Sequence, residues 1–450
     1  MRRPLALLGR DVTPDDSRRV SMLLGVLFGL AGMGSSSAAI ALPLLGADLG
    51  VGVGDATWTI TLYVLMLAVT TAVYGRVSDL VGIRLPLLVG IGLMTAGALV
   101  AAFAPTFEVL LLGRVFQGAG AAAVPTLGVA VLSKRYDGQV RGVALGRLAG
   151  MAAAISCLGP LAGGLVEHAF GWRMVMALPI LGVVVIPFLW RALSPEGSGA
   201  SLDILGAVLV AGTAAGLVLL VQSPAAGLVI ALSGAALIVL GVPAVAWRVR
   251  RMPHGFLPLS VVRDGTVVRS SLAAAAVPAA WFAHLVAVPA VLVQEGWEAW
   301  QVGLLLVPSA VLAMVMPRTA GALLTRIGSA SSLGLAGIVA AVALLLAALG
   351  TWLVSPVVLV VAVALVTVAF GLGQPALIAA VGESVALDVR GVALGVATLL
   401  FLVGGSVGSA VVGGLGDVVG IPASLAILAA LPVLGLVALL PELRRVPARV

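Results

Sequence analysis

Apolar residues run along the chain in long unbroken blocks, with polar residues gathered in short clusters between them. The blocks are continuous rather than alternating, so each reads as a helix and not as a barrel strand. A helix that crosses a bilayer needs about 20 apolar residues. Fourteen blocks come near that length: 20–45, 57–75, 85–104, 108–131, 143–168, 174–192, 202–222, 226–248, 268–293, 302–325, 329–350, 356–380, 391–415 and 421–440. In chain order they are spans 1 to 14. The first 19 residues mix Asp11, Asp15 and Asp16 with arginines, and the run that follows is too long for a leader core. No cleaved leader is therefore expected.

The polar clusters give the orientation. With the N-terminus in the cytoplasm, only Arg173 of the 25 basic residues falls outside, while Arg114, Arg147 and Arg318 lie within spans. All the others fall on the cytoplasmic side, as the positive-inside rule requires, and both termini are cytoplasmic. The chain is 61% hydrophobic and 10% charged, which excludes a soluble domain or a disordered chain. The net charge of +7 belongs to this membrane bias and not to nucleic-acid binding. Cys157 is the single cysteine, so no intrachain disulfide can form, and it reads as a packing residue. Three scattered histidines and no HExxH argue against a metal site, a cofactor or an enzyme.

An internal repeat orders the spans. The hexapeptide RGVALG occurs at Arg141–Gly146 and again at Arg390–Gly395, and the same offset carries Gly159 and Gly164 onto Gly408 and Gly413. A weaker pair, Gly75 and Gly82, corresponds to Gly321 and Gly328 at an offset three residues shorter. Span 2 therefore matches span 10, and span 5 matches span 13. An even offset keeps both halves in one orientation, as in transporters built from parallel repeats. The division that follows is a tail at 1–19, a six-helix bundle at 20–192 and two inserted helices at 193–248. A cytoplasmic basic linker at 249–267 comes next, then a second six-helix bundle at 268–441 and a tail at 442–450. The linker is expected to hold a short amphipathic stretch at the membrane surface.

Three motifs carry mechanism. The turn between spans 2 and 3 places Gly75, Asp79, Gly82 and Arg84 in a short charged segment that could latch the cytoplasmic side. Span 4 carries Arg114, Gln117, Gly118 and Gly120. Span 5 carries Gly150, then Gly159, Pro160, Gly163 and Gly164, which allow close helix approach and bend the helix. At these spacings the three segments resemble signatures of the major facilitator superfamily. The span 5 segment is similar to its antiporter motif, and the two inserted helices resemble its fourteen-span drug/proton antiporters. Residues 57–192 are especially similar to the Gram-positive tetracycline/proton antiporters, through TAVYG at 71–75, QGAGAAA at 117–123 and GPLAGG at 159–164.

The resemblance implies an all-α polytopic membrane protein with the major-facilitator fold, two six-helix bundles and two extra central helices. It implies efflux of a hydrophobic antibiotic or natural product across a bacterial cell membrane, in exchange for protons, by a monomer. The acids expected of such an antiporter are absent. Gly34, Ser156 and Gly404 stand where relatives carry carboxylates, and none of the 18 acidic residues lies in mid-membrane. Tetracycline–metal exchange is therefore rejected. Proton-independent or anion-coupled movement of an organic anion or lipid is the alternative. The embedded chemistry is cationic: Arg114, Arg147 and Arg318, with His284 as the mid-membrane group that could titrate near neutral pH. His168 with Glu167 is a second coupling candidate. Trp58, Trp281, Trp297, Trp300 and Trp352 mostly lie near span ends and read as interface anchors rather than a drug-binding cage, although Trp281 could face a central cavity.

Overall fold

A computed structural model describes residues 14–193, 203–253, 255–386 and 389–444. Among them, fourteen helical segments are long and apolar enough to cross a membrane. They are Asp16–Leu49 (span 1), Val53–Ser78 (span 2), Arg84–Ala102 (span 3), Phe107–Arg135 (span 4), Gln139–Phe170 (span 5), Trp172–Leu189 (span 6) and Ile204–Ala226 (span 7). Then come Leu228–Arg251 (span 8), Gly265–Gln294 (span 9), Ala299–Ile327 (span 10), Ser329–Trp352 (span 11), Pro356–Ser384 (span 12), Arg390–Val419 (span 13) and Ile421–Leu443 (span 14). The described residues contain no strand. Backbone polar groups in hydrocarbon have no water to bond, so an apolar chain of this kind satisfies them within helices.

Proline decides where the helices break. Span 5 is two helices, Gly138–Cys157 and Gly159–Phe170, because Pro160 has no N–H to offer Ser156 O. That carbonyl instead accepts a hydrogen bond from Ser36 Oγ of span 1 at 2.8 Å. Span 4 breaks at Ala122 just before Pro125, and span 10 at Leu306 just before Pro308. In span 6 a tight 3₁₀ stretch, Leu178–Val185, carries Pro179 in its first turn.

Spans 1 and 9 run through the interior, and 83% of span 9's most apolar stretch is buried. Span 2 packs on span 13, span 5 on span 10, and span 1 on span 9. The inserted span 7 lies over the groove between spans 2 and 13, and span 8 packs on span 7 with only 6% of its most apolar stretch buried. The 249–267 stretch differs from its expected surface helix. Span 8 runs to Arg251, the helix at Leu259–Arg263 has five residues, and Phe256 and Val261 are buried in the protein. Asp203 anchors this corner, accepting from Arg248 Nη2 at 2.7 Å and from the Phe256 N–H at 3.1 Å.

The seal between the halves is one-sided. On the outer side, a methyl group added at Gly164 would lie 2.5 Å from Ala299 O, and one at Gly303 2.5 Å from Pro160 O. Gly413 meets Thr57 there in the same way. Residues 33–42 of span 1 are all buried. At the arginine-rich ends the packing is loose. Gly142, Gly146, Gly150, Gly321, Gly391 and Gly395 would each have open space around an added methyl group. The closest backbone contacts between spans 5 and 10 therefore lie on the outer side, and the glycines toward the arginine-rich ends make no such contact.

Candidate functional site

Arg114 is fully buried in the first six spans. Span 4 delivers it one helical turn before Gln117, so the two side chains share a face. Its Nε donates to Thr59 O at 2.8 Å, and its Nη1 donates to Gln117 Oε1. Gln117 Nε2 in turn donates to Met176 O at 3.2 Å. The guanidinium lies over the Tyr63 ring, 4.3 Å from its centroid, and Tyr63 Oη donates to Ala31 O at 2.5 Å. Among the described residues Nη2 has no hydrogen-bond partner. The charge is thus balanced by a carbonyl, an amide and a ring face, without a carboxylate among its contacts.

The positions where relatives carry acids are closed by packing. A methyl group at Gly34 would lie 3.1 Å from Tyr63 Oη and 3.2 Å from Pro179 Cγ. Gly404 abuts the Ala275 backbone, so a glutamate there would collide. Ser156 fills the third position and donates to Gly29 O at 3.3 Å.

In the last six spans, Trp281 sits midway along span 9 and keeps partial exposure although the residues around it are buried. Its ring lies 5.4 Å from Phe370 of span 12, and Phe370 lies 5.6 Å from Phe401 of span 13. Tilted aromatic pairs at this spacing attract through ring edges and faces. Gln374 is one turn from Phe370 on the same face of span 12, partly exposed, away from the exposed Val357 and Val361 stripe. A partly exposed indole with Phe370 tilted against it is suited to an aromatic or hydrophobic molecule.

The other sequence-predicted residues lie apart from these two clusters. His284 is buried, with Nδ1 2.7 Å from Ala280 O and Nε2 3.2 Å from Ala343 O, so both ring nitrogens are occupied by backbone carbonyls of spans 9 and 11. Arg147 and Arg318 stand near the cytoplasmic ends of spans 5 and 10. His168 and Glu167 lie at the outer end of span 5. Arg173 pairs with Asp48 at 2.7 Å outside.

The span 2–3 motif is helical where a loop was expected. The helix Trp58–Val81 runs through Gly75 and Asp79, and only Gly82, at φ 82°, and Ile83 break it. Apolar neighbours carry the helix on until a residue free to adopt positive φ ends it. The Asp79 side chain lies outside the described residues. Arg84 lies 4.7 Å from the Trp190 ring and donates to Leu193 O at 3.0 Å, contacts that stay within the first six spans. The span 5 motif packs as its glycines suggest: Gly159 against Ser36, Gly163 against the Ser37 backbone, and Gly164 across to span 10. Gly150 faces open space.

Sequence reasoning missed Tyr63, Phe370, Phe401 and Gln374. Tyr63 is one of only three tyrosines, and Gln374 is an amide within an otherwise apolar run. Those isolated polar groups at mid-span were the available signal.

The described family, Major Facilitator Superfamily, matches residues 24–409. The chain is 26% identical over 257 residues to the MFS-type transporter YvkA of Bacillus subtilis (strain 168), covering 56% of this chain and 57% of that protein. It is 27% identical over 177 residues to the riboflavin transporter RibZ of Clostridioides difficile (strain 630), covering 38% of this chain and 39% of that one. These alignments therefore span little more than half, or less, of those relatives' lengths. The transporter YebQ of Escherichia coli (strain K12) is 26% identical over 329 residues, 71% of this chain and 72% of its own. Among solved structures, a POT family transporter in complex with 5-aminolevulinic acid superposes with a TM-score of 0.69 at 14% identity, covering 95% of this chain and 96% of that one. That likeness concerns the fold alone.

Proposed function

This chain belongs to the major facilitator superfamily, and from that premise we propose that it exports a hydrophobic small molecule, an antibiotic or natural product, by alternating access. The halves at 20–192 and 268–441 rock about a central site. The observation that carries this reading is the partly exposed Trp281, beside Phe370, in the middle of a span whose neighbouring residues 276–292 are otherwise buried. A substrate entering from the cytoplasmic side meets these rings. Rocking then closes the inner ends of spans 5 and 10 and parts the outer seal at Gly164 and Gly303. The span 5 glycines let the helices slide in close contact. The protein works as a monomer in a bacterial inner membrane, since one chain contains both halves.

Proton antiport is the proposed coupling. With no mid-membrane carboxylate to exchange the proton, the Arg114–Gln117–Tyr63 cluster and His284 are the candidate residues. Arg114 offers a free Nη2 donor to acceptor-rich substrate groups when the outer side opens. A second reading, proton-independent or anion-coupled transport of an organic anion, is favoured by the three embedded arginines. Everted membrane vesicles holding the protein separate the two. Hydrophobic cationic, neutral and anionic dyes are offered with an imposed proton gradient, with riboflavin added because one relative is named for it. Uptake that stops when a protonophore collapses the gradient supports antiport. Uptake that continues unchanged supports the second reading, and no uptake of any compound would overturn export.

A further inference from the structure

Spans 5 and 10 run antiparallel, and their outer contacts fix the register. Gly164 meets Ala299 and Trp300, and Gly303 meets Pro160 and Leu161. Continued inward at equal rise, this register puts the helix breaks at Leu158 and Leu306 on one level. It also puts Arg147 level with Met316 and Pro317, beside Arg318. Arg147 lies nine residues in from the start of its helix at Gly138, and Arg318 nine residues before the end of its own at Ile327. Both therefore stand about 14 Å from the cytoplasmic helix ends, one on each half of the molecule.

Neither arginine has a hydrogen-bond or ion-pair partner among the described residues. Arg318 is exposed and Arg147 half-buried. The fold does not require them. The glycine repeat maps Ala72 onto Arg318, and the RGVALG repeat maps Val396 onto Arg147, so the matching interface between spans 2 and 13 is apolar at this depth. That interface is also covered by span 7, with Ala72, Val210 and Leu400 packed in one cluster. The span 5–span 10 side has no such cover. Deeper in the membrane from Arg318, span 10 exposes Val311, Met314 and Val315.

Two unpaired cations at headgroup reach, above an apolar strip at acyl-chain depth, make a pattern with one chemical complement. We propose that Arg147 and Arg318 bind the carboxylate or phosphate headgroup of a transported anionic amphiphile. The molecule enters sideways from the inner leaflet between spans 5 and 10, with its tail along Val311, Met314 and Val315. This rests on the export reading and narrows its substrate class.

The test uses the full chain, purified in neutral detergent. Oleate, dioleoylphosphatidylglycerol, dioleoylphosphatidylcholine and inorganic phosphate are offered separately, and bound ligand is counted by native mass spectrometry. The double variant Arg147→Gln, Arg318→Gln is expected to retain oleate and phosphatidylglycerol about thirtyfold less well than the native chain, with phosphatidylcholine unaffected. The double lysine variant is expected to keep most of the preference, which separates lost charge from lost folding. Unchanged preference in the glutamine variant, or equal loss of charged and neutral lipid, overturns the site. Displacement of oleate by inorganic phosphate overturns the amphiphile. Oleate uptake into everted vesicles completes the test. Arginine-dependent binding without oleate uptake, while a dye is still transported, marks a resident lipid and overturns the substrate assignment alone. Arginine-dependent binding with nothing transported leaves the site standing and overturns the export reading.

Discussion

Arg114 is held by Thr59 O, Gln117 Oε1 and the Tyr63 ring, three contacts that fit a planar fork and not a point charge. Arg114→Lys keeps the charge but loses this geometry, so transport should fall at least about tenfold while the protein still folds. Initial uptake rates beside a thermal unfolding curve check this, and full transport by the lysine variant would contradict a role for the fork. Tyr63→Phe removes the bond to Ala31 O and should lower stability by about 1 kcal/mol. Asp203 gives a pH prediction. Burial raises its carboxyl, but the hydrogen bond from Arg248 and the N–H groups of Gly206 and Phe256 outweigh this and hold its pKa below the ordinary 3.8. A folded pKa below the unfolded one contributes stability that is present above the unfolded value and is lost as pH falls through the folded one. The melting temperature in detergent should therefore drop from pH 5 toward pH 3. In Asp203→Asn that particular loss should be missing, with stability already lower at neutral pH.

At the scale of helices, the sequence was most legible where the physics is simplest. All fourteen blocks overlap the observed spans, because a run of about 20 apolar residues has few alternatives in a bilayer. Prolines marked several breaks, and Pro160 did so where the motif suggested a bend. The continuation of span 2 through Gly75 and Asp79 was not legible, since charged turn-like residues also cap helices. Helix rotation was not legible either. In a segment that is apolar all round, no moment shows which side faces a cavity, and so Phe370 and Gln374 went unnoticed. Arg114 and Gln117 were readable as an embedded polar pair in need of partners, which Thr59, Met176 and Tyr63 supply. The outer seal depends on glycine. Gly164→Val overpacks the contact with Ala299, at a strain of about 1–3 kcal/mol. In a Cys157→Ala background carrying Ile40→Cys, this should speed labelling by an impermeant maleimide from outside about tenfold or more. An unchanged rate would mean that the seal does not rest on this contact.

The whole molecule joins two similar halves through unlike interfaces. One, between spans 2 and 13, is apolar at the depth of Ala72 and Leu400, hydrogen-bonded deeper in through Thr61 and Ser409, and covered by span 7. The other, between spans 5 and 10, is sealed by glycines outside and carries arginines near its inner end. Rocking about a central site accounts for a seal made by close contact without bonds. Its most direct test is a pair of distances measured by double electron–electron resonance in a Cys157→Ala background. Labels at Phe170 and Glu298 report the outer ends of spans 5 and 10, and labels at Val140 and Ile327 report the inner ends. During transport the outer distance should lengthen while the inner one shortens. Two distances that stay fixed, or move together, while substrate crosses the membrane would contradict alternating access in this protein.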